Sequence, residues 1–466
     1  MTGSPDTSPL RVAIIGSGPS GFYSAEHIHR GHPEVEVDMF DRLPTPYGLV
    51  RGGVAPDHPK IKSVTRVYDK TASHPGFRFY GNVEYGTDIT REELQARYHA
   101  VVYAVGAQTD RRMNIDGEDL AGSHPATAFV GWYNGHPDYG DVRFDLMCDR
   151  AVVVGNGNVA IDVARMLVLS DTELRATDTA HHAIDALAES SVREVVVMGR
   201  RGPAQAAFTN PELRELGQLD DVDVIVDPED LVLDEASQAW LQTPEARATN
   251  KNIELLRDYA GRTTGGASRR IVLRFGLSPR RVLGTDAVEA VEVERNDLVA
   301  DDTGAIRARP TGETELLDAG LVLRSIGYRG LPLPGLPFDD AQGVIPNDRG
   351  RVTEDGTPRA REYVVGWIKR GPSGIIGTNK KDAAETVAAL FEDLEAGALT
   401  APPEPDRDSL ERLLREREVA VVPYEGWELI DAHERELGES EGRPRRKLTR
   451  VEEMLEVASA RQRSGA

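Results

Sequence analysis

The chain has 466 residues, 39% of them hydrophobic, which is enough for two or more domains with cores of their own. Its formal charge of −22 argues against nucleic acid or an anionic membrane as a partner, and the lack of a bilayer-length apolar run or a signal pattern predicts a cytoplasmic location. The single cysteine, Cys148, excludes an internal disulfide, a thiolate metal cluster and a Cys-x-x-Cys redox pair, so we expect no metal site.

The first informative element is a glycine-rich turn that follows a hydrophobic run. Residues 12–21 read VAIIGSGPSG, which predicts a strand that opens into a helix. In dinucleotide-binding folds, Gly16 would make the tight turn, Gly18 would let the backbone approach a pyrophosphate, and Gly21 would let the helix pack on the strand. The pyrophosphate then lies at the helix N-terminus, where N–H groups favour negative charge. One such motif is weak evidence, because short glycine patterns also occur in structural turns.

The next predicted strand ends in an acid. Residues 35–41 read VEVDMFD, and Asp41 lies about 20 residues past the glycines, where a carboxylate accepts hydrogen bonds from an unphosphorylated ribose. This position favours FAD or NAD and disfavours a 2′-phosphate. Residues 43–58 are too rich in Pro and Gly for regular structure and predict a functional loop near the cofactor. A strand over 100–107 follows and ends in small residues.

A second glycine-rich turn has a different nucleotide preference. Residues 151–160 read AVVVGNGNVA, the same design with Ala in the third position. Two such motifs predict two dinucleotides in one protein and electron transfer between them. The following strand, 194–201, ends in Arg200 and Arg201, whose guanidinium groups can bind a phosphate through a fork of donors. This half therefore indicates NADP, although the arginine pair also fits a solvated strand end.

The remaining elements predict a return to the first domain. A strand over 321–327 leads back, a second strand follows at 362–367, and a glycine-rich turn precedes a helix over 382–395. The proline-rich linker 401–405 then introduces a charged helical tail.

At this point the chain resembles a known family, the adrenodoxin-reductase type of ferredoxin–NADP reductase, and especially its bacterial members. The resemblance covers nearly the whole chain. The segments that carry it are PTPYGLVR (44–51), GVAPDHPK (53–60), YAVGA (103–107), GNGNVAIDVAR (155–165), GRRGP (199–203), GWIKRGP (366–372) and GTN (377–379). The chain departs from the family at Tyr47, where a larger residue, often Trp, is usual, and at Gly52, where the family varies.

The resemblance implies an α/β fold with two Rossmann-like dinucleotide-binding domains, the NADP domain being inserted into the FAD domain. The FAD domain would comprise 1–106 and 326–466, the second part carrying the helical tail, and the NADP domain would comprise 107–325. The implied FAD contacts are Gly16, Gly18, Ser20, Gly21, Asp41, Leu49, Val83, Trp367, Gly374, Ile375 and Ile376. The implied NADP(H) contacts are Arg111, Asn156, Gly157, Asn158, Val159, Arg200, Arg201 and Glu212. In such enzymes NADPH passes a hydride to the flavin, and electrons then leave singly to a ferredoxin-type iron–sulfur protein.

Two further residues match positions near the reaction centre of the family. His58 and Glu215 would tune the reaction there, although a histidine in a Pro-rich loop also fits a structural role. Glu212 follows Asn210 and Pro211, a good start for a helix, so it also fits an interaction with the helix dipole.

Docking of an acidic ferredoxin on a negative chain requires a local basic face. We rank two pairs first, Lys369 with Arg370 and Lys380 with Lys381, because both flank the segment predicted to cover the flavin. Other candidate cations are Arg269, Arg270, Arg280, Arg281, Arg443, Arg445, Arg446 and Lys447.

Two other classes of protein fit the paired motifs. One is a different two-dinucleotide flavoprotein, such as a glutamate-synthase-like small subunit, which would need a cysteine-rich segment, or an NADPH-dependent monooxygenase, which would consume NADPH without an added acceptor. The other is a non-enzymatic NADP-binding regulator, which would lack flavin.

Overall fold

A computed structural model describes residues 9–301 and 305–464, with side chains described to residue 460. Its contacts divide the chain into two units, one formed by 1–109 with 328–466 and the other by 110–327. Among the described helices, none combines the length and the apolar character that crossing a membrane requires.

The first unit is built on a sheet of seven strands, which are β1 Arg11–Ile15, β2 Glu36–Asp41, β3 Phe77–Gly81, β4 Ala100–Tyr103, β16 Asn347–Asp348, β17 Arg351–Glu354 and β18 Thr357–Val364. Their order in the sheet is β16-β17-β18-β4-β1-β2-β3. The pairs from β18 to β3 are parallel, whereas β16, β17 and β18 pair antiparallel. Two further short strands are β15 Tyr328–Arg329, which begins the second segment of this unit, and β5 Thr109–Asp110, which spans the boundary in the chain between the two units.

Both faces of this sheet are buried, as its continuous apolar strands predict. Val12 and Ile14 of β1 belong to one core cluster, and Ala13 and Ile15 belong to another on the opposite face. The helices of the unit are α1 Pro19–Gly31, α2 Leu49–Gly52, α3 Pro59–Lys62, α4 Thr65–Ala72, α5 Arg91–Arg97, α13 Trp367–Arg370, α14 Thr378–Glu395, α15 Ser409–Glu416, α16 Tyr424–Ser440 and α17 Val451–Ser464.

The second unit contains a parallel sheet ordered β6-β14-β7-β8-β10-β9. Its strands are β6 Ser123–Pro125, β7 Arg150–Val154, β8 Glu194–Gly199, β9 Val222–Val226, β10 Arg269–Phe275 and β14 Leu321–Arg324. Its α-helices are α6 Ala126–Tyr133, α7 Asn158–Val168, α8 Asp171–Arg175, α9 His181–Ala188, α10 Asn210–Leu216, α11 Glu235–Leu241 and α12 Arg247–Ala260. Short 3-10 helices occur at Pro137–Tyr139, Pro203–Gln205, Pro228–Leu231 and Pro244–Ala246.

An antiparallel sheet of β11 Leu277–Leu283, β12 Ala290–Ala300 and β13 Ile306–Asp318 completes the second unit. Val152 and Val154 of β7 share a core cluster with Val291 and Val293 of β12. The alternate residues of β7, Ala151 and Val153, belong to the core cluster that includes the helices. The small sheet therefore covers one face of the parallel sheet. The sequence patterns did not predict this layer.

Two candidate dinucleotide-binding sites

In the first unit, the glycine turn follows β1 at the point where the strand order changes direction, with β4 on one side and β2 on the other. Open α/β sheets bind ligands in the crevice at such a switch. Gly16 has φ of +106°, and a Cβ there would lie 2.5 Å from the carbonyl oxygen of Ala104. A Cβ on Gly21 would meet the carbonyl oxygen of Gly16. Backbone conformation and close packing therefore require both glycines.

The N-terminus of α1 is suited to an anion. Gly18 is its N-cap residue, Pro19 follows, and no described side chain hydrogen-bonds to the cap. Gly48 approaches the turn so closely that a Cβ on it would lie 2.9 Å from the Cα of Gly18. Bare backbone from two segments thus surrounds N–H groups that have no side-chain partner, an arrangement that fits a pyrophosphate.

Asp41, at the end of β2, is oriented by the same turn. Its Oδ2 accepts hydrogen bonds from the backbone N–H of Ser17 at 3.0 Å and from the Ser17 hydroxyl at 2.5 Å. Its Oδ1 accepts one from the backbone N–H of Leu43 at 3.0 Å. Since a carboxylate has about four acceptor positions, capacity remains for a ribose hydroxyl. The buried Val83 is tied to the same residue through its N–H, 2.9 Å from the Asp41 carbonyl oxygen.

The C-terminal segment places a buried donor in this unit. Trp367 begins α13, and its ring lies 5.2 Å from the ring of Tyr328. The Trp367 Nε1 is buried and has no hydrogen-bond partner among the described residues. Such an orphaned donor fits a cofactor that offers ring nitrogen and carbonyl acceptors, as a flavin does. Ser20 of α1 lies against Gly366, where a Cβ would collide with its hydroxyl.

The segment after α13 is held by α14. Gly374 has φ of +80°, and a Cβ there would lie 2.5 Å from the Thr378 Oγ1. The same hydroxyl accepts a hydrogen bond from the N–H of Ile375, whose side chain is 63% exposed. Ile376 packs against the core cluster of this unit. The conformation of the turn therefore requires glycine at position 374, whether or not this residue also contacts a coenzyme.

Residues of the helical tail hold the loop that carries Leu49, and we call this set of contacts the clamp. Arg51, on the same short helix α2, donates to the carboxylate of Glu434 at 2.8 and 2.5 Å and lies over the ring of Trp427. Glu434 is fully buried and also accepts from Arg445 at 3.1 Å. Burial raises the pKa of the Glu434 carboxyl, but Arg51 and Arg445 outweigh it, and the pKa is lowered. Lys447 donates to the Arg51 carbonyl oxygen at 3.2 Å.

The second unit repeats the glycine turn at its own switch point, where β7 lies between β14 and β8. Gly155 has φ of +136°, and a Cβ would collide with the carbonyl oxygen of Ser325. The N-cap of α7 is Gly157, again with no described side chain bonded to the cap. The Asn158 side chain accepts from the N–H of Thr209 at 2.8 Å, and the Asn156 side chain lies against Gly199.

Arg200 and Arg201 follow Gly199 directly and line a cavity of about 320 Å³. Burial lowers the pKa of the Arg201 guanidinium, and the like charge of Arg200 lowers it further. A bound phosphate would relieve that repulsion. The acid at the end of β2 and the arginines after β8 therefore give the two turns opposite electrostatic preferences.

Four of the predicted site residues belong neither to the glycine turns nor to the arginine pair. Glu212 and Glu215 share helix α10, and the buried Arg165 pairs with both, at 3.7 and 2.9 Å. Arg165 was not among the site residues predicted from the sequence. The available signal was its spacing of three positions from Asp162 on one helix, which predicts the ion pair observed at 3.0 Å. Arg111 is exposed and donates through its N–H to the Gly327 carbonyl oxygen at 3.0 Å. His58, in the first unit, is buried and is the N-cap residue of α3.

The expected docking role of Lys369 with Arg370 is wrong. Lys369 is 7% exposed, and its ammonium pairs with Asp382 at 2.9 Å and Glu385 at 2.7 Å. Arg370 donates to Asn379 at 2.9 Å and to Ser373. Lys369 is buried and Arg370 is half-buried, and α14 presents acids to the first and an amide to the second.

Glycine turns at both switch points, followed by an acid in one unit and two arginines in the other, define a two-dinucleotide oxidoreductase fold. The family described as Pyridine nucleotide-disulphide oxidoreductase matches residues 10–198. The cysteine pair that this description suggests is missing from a chain whose single cysteine is Cys148.

Comparison with individual proteins makes the assignment narrower. NADPH-ferredoxin reductase FprA of Mycobacterium tuberculosis is 50% identical over 460 residues, covering 96% of this chain and 99% of that protein. The mitochondrial NADPH:adrenodoxin oxidoreductase of Salvelinus fontinalis is 44% identical over 472 residues, covering 98% and 93%. The solved structure of Mycobacterium tuberculosis FprA in complex with NADPH has a TM-score of 0.91 at 49% identity, covering 97% of this chain and 99% of that one.

The chain belongs to the family of NADPH–ferredoxin and adrenodoxin reductases. This confirms the family, the α/β fold with Rossmann-like domains, the enzyme class and the cofactors FAD and NADP(H) expected from the sequence. The individual contact residues remain predictions.

Proposed function

We propose that this protein transfers electrons between NADPH and a ferredoxin-type iron–sulfur protein by means of FAD. The observation that carries the proposal is the pair of glycine turns with opposite charge beside them, in a chain that matches named NADPH-ferredoxin reductases over nearly its full length. FAD, when bound, supplies the conversion between a two-electron hydride donor and one-electron acceptors.

The first unit is the proposed FAD domain. The backbone of Gly16, Gly18 and Gly21 lets the pyrophosphate reach the N-terminus of α1. Asp41 accepts from the adenosine ribose, and the buried Trp367 Nε1 donates to an acceptor on the cofactor. The remaining proposed contacts are Ser20, Leu49, Val83, Gly374, Ile375 and Ile376.

The second unit is the proposed NADP domain. Asn156, Gly157, Asn158 and Val159 receive the pyrophosphate at the N-terminus of α7, and Arg200 and Arg201 bind the 2′-phosphate. Arg111 and Glu212 are further proposed contacts.

We also propose that His58 and Glu215 tune the reaction through their positions. Arg165 supports this role for Glu215, because a guanidinium at 2.9 Å fixes the position of the carboxylate. The structural alternative for Glu215 is a simple ion pair that anchors α10 to α7.

The decisive experiment is a spectrum of the purified protein under anaerobic conditions. We expect flavin absorption that NADPH bleaches and that oxidised ferredoxin then restores. NADH at the same concentration should bleach it much more slowly and is the matched control. A protein that carries no flavin, or a reduced protein that oxygen reoxidises and ferredoxin does not, would contradict the proposal.

A further inference from the structure

A third arginine lines the same cavity as Arg200 and Arg201. Arg307 lies near the start of β13, and its positive charge is among the causes that lower the pKa of Arg201. Among the described residues that line this cavity, none is acidic. Three guanidinium groups around one cavity favour an anion bound between them.

The antiparallel sheet holds Arg307 in a defined place relative to the arginine pair. Val299 of β12 pairs with Arg307 of β13. Asn296 of the same β12 strand donates through its side chain to the Arg200 carbonyl oxygen at 3.2 Å. Its backbone N–H donates to the carbonyl oxygen of Gly276 at 2.7 Å, and Gly276, which lies between β10 and β11, donates in turn to the Arg201 carbonyl oxygen at 3.0 Å. Leu298 also packs so closely on Gly202 that a Cβ there would lie 2.7 Å from it. Because of these contacts, the hairpin formed by β12 and β13 is one wall of the cavity.

Asn296 supplies a second kind of group to the same cavity. Its residue is 8% exposed, and its amide nitrogen donates to Arg200, Gly276 and Ser278. Its Oδ1 has no hydrogen-bond partner among the described residues. An unused buried acceptor next to three cations suits a ligand that carries a phosphate and a hydroxyl on neighbouring carbons, which describes a 2′-phosphorylated ribose.

We propose that Arg307 is a third phosphate-binding residue of the NADP(H) site and that it contributes to the preference for NADP(H) over NAD(H). This inference rests on the proposed function of the second unit. Arg307 is 69% exposed and pairs with Asp301 at 2.7 Å, so its guanidinium is already oriented by one hydrogen bond through Nε. Among the described residues, its two terminal nitrogens have no hydrogen-bond partner, so they can bind phosphate oxygens.

The test uses the holoenzyme and two adenosine phosphates that differ in the 2′-phosphate. Binding of adenosine 2′,5′-bisphosphate and of adenosine 5′-monophosphate is measured by titration calorimetry for the wild type and for Arg307→Ala. We expect the variant to bind the bisphosphate roughly 3- to 10-fold more weakly, as befits a charged contact at a partly exposed site, and the monophosphate unchanged. Arg309→Ala is the matched control, because Arg309 lies on the same strand, is exposed and does not line the cavity.

The outcomes separate this inference from the site on which it rests. If Arg200→Ala weakens binding of the bisphosphate while Arg307→Ala and Arg309→Ala have the same small effect, Arg307 acts only through distant charge and the inference is wrong. If neither Arg200→Ala nor Arg307→Ala changes binding of the bisphosphate, the 2′-phosphate lies elsewhere and the proposed NADP(H) site falls as well. A selective loss with Arg307→Ala supports the inference.

Discussion

At the scale of single residues, the arginines after β8 separate the two coenzymes. A charge-assisted contact to the 2′-phosphate contributes about 1.5–3 kcal/mol, and NADH has no group to receive it. We therefore expect the Arg200→Ala, Arg201→Ala double variant to raise the KM for NADPH at least tenfold, roughly the effect of one such contact, and to leave the KM for NADH nearly unchanged. Steady-state kinetics with ferricyanide as the acceptor measures both constants. Equal losses with both coenzymes would exclude this role for the pair.

The surroundings of Lys369 in the folded protein differ from those that its neighbours in the sequence suggest. Its neighbours in the chain suggest a basic surface pair, but acids from α14 enclose its ammonium. The pKa of Glu385 is lowered, with Lys369 as the main cause. Removing one member of a buried ion pair leaves the other charge uncompensated, which costs about 3–5 kcal/mol.

We accordingly expect Lys369→Met to lower the melting temperature of the protein and to leave the salt dependence of ferredoxin reduction unchanged. Lys381→Met, on exposed α14 surface, is the control and should not change the melting temperature. Differential scanning calorimetry of the holoenzyme distinguishes the two. A Lys369 variant of normal stability would show that the ion pairs contribute little.

At the scale of elements, the tail helix α16 supports the loop that carries Leu49. Glu434→Gln removes the charge that holds Arg51 and Arg445, and the helix should then release the loop. We expect faster loss of FAD on dilution, measured as the rise of free-flavin fluorescence, together with a lower melting temperature. Glu436→Gln, on an exposed position of the same helix, should change neither quantity. Unchanged release of FAD by the Glu434 variant would mean that the clamp is irrelevant to the cofactor.

The same carboxylate predicts a dependence on pH. Because the pKa of Glu434 is lowered in the folded protein, its contribution to stability is complete above the unfolded value of about 4.3 and is lost as the pH falls through the lower folded value. The difference in melting temperature between the wild type and Glu434→Gln should therefore be constant near neutrality and shrink in acid. A difference that grows in acid would contradict this assignment of charge.

At the scale of the whole molecule, a chain of charge −22 needs a local basic surface to bind an acidic ferredoxin. Of the pairs ranked first from the sequence, Lys380 with Lys381 is the exposed one. We expect reduction of ferredoxin to slow as ionic strength rises, because the Debye length is about 10 Å at 0.1 M salt. Reduction of ferricyanide, which needs no extended surface, should change much less.

Charge reversal locates the surface. Lys380→Glu with Lys381→Glu should slow reduction of ferredoxin at low salt and spare reduction of ferricyanide. Lys251→Glu with Arg257→Glu, two exposed positions of α12, removes the same charge and is the control. Equal slowing by both double variants would indicate that net charge, and no particular surface, governs the encounter.

How much of the fold and of the site the sequence could predict depends on how far apart in the chain the interacting residues lie. The glycine turns, Asp41 and the arginine pair follow from local rules, since backbone conformation fixes the turns and the charged groups lie at the ends of the strands that follow them. The burial of Lys369, the clamp on Arg51 and the wall that carries Arg307 depend on segments that meet only in the folded chain. Arg51 and Glu434, for example, are separated by 383 positions. The hydrophobic pattern of one segment does not indicate which distant segment it will contact.

That separation has a consequence for how the protein is made. The loop with Leu49 emerges from the ribosome well before α16, the helix that holds it. Strand β18, which pairs beside β4, is also late. At synthesis rates of about 5–20 residues per second, roughly 20 to 80 seconds pass between the two halves of the clamp. The proposed flavin site of the growing chain therefore stays incomplete until α16 has been synthesised, and we expect tight loading of FAD only after that point.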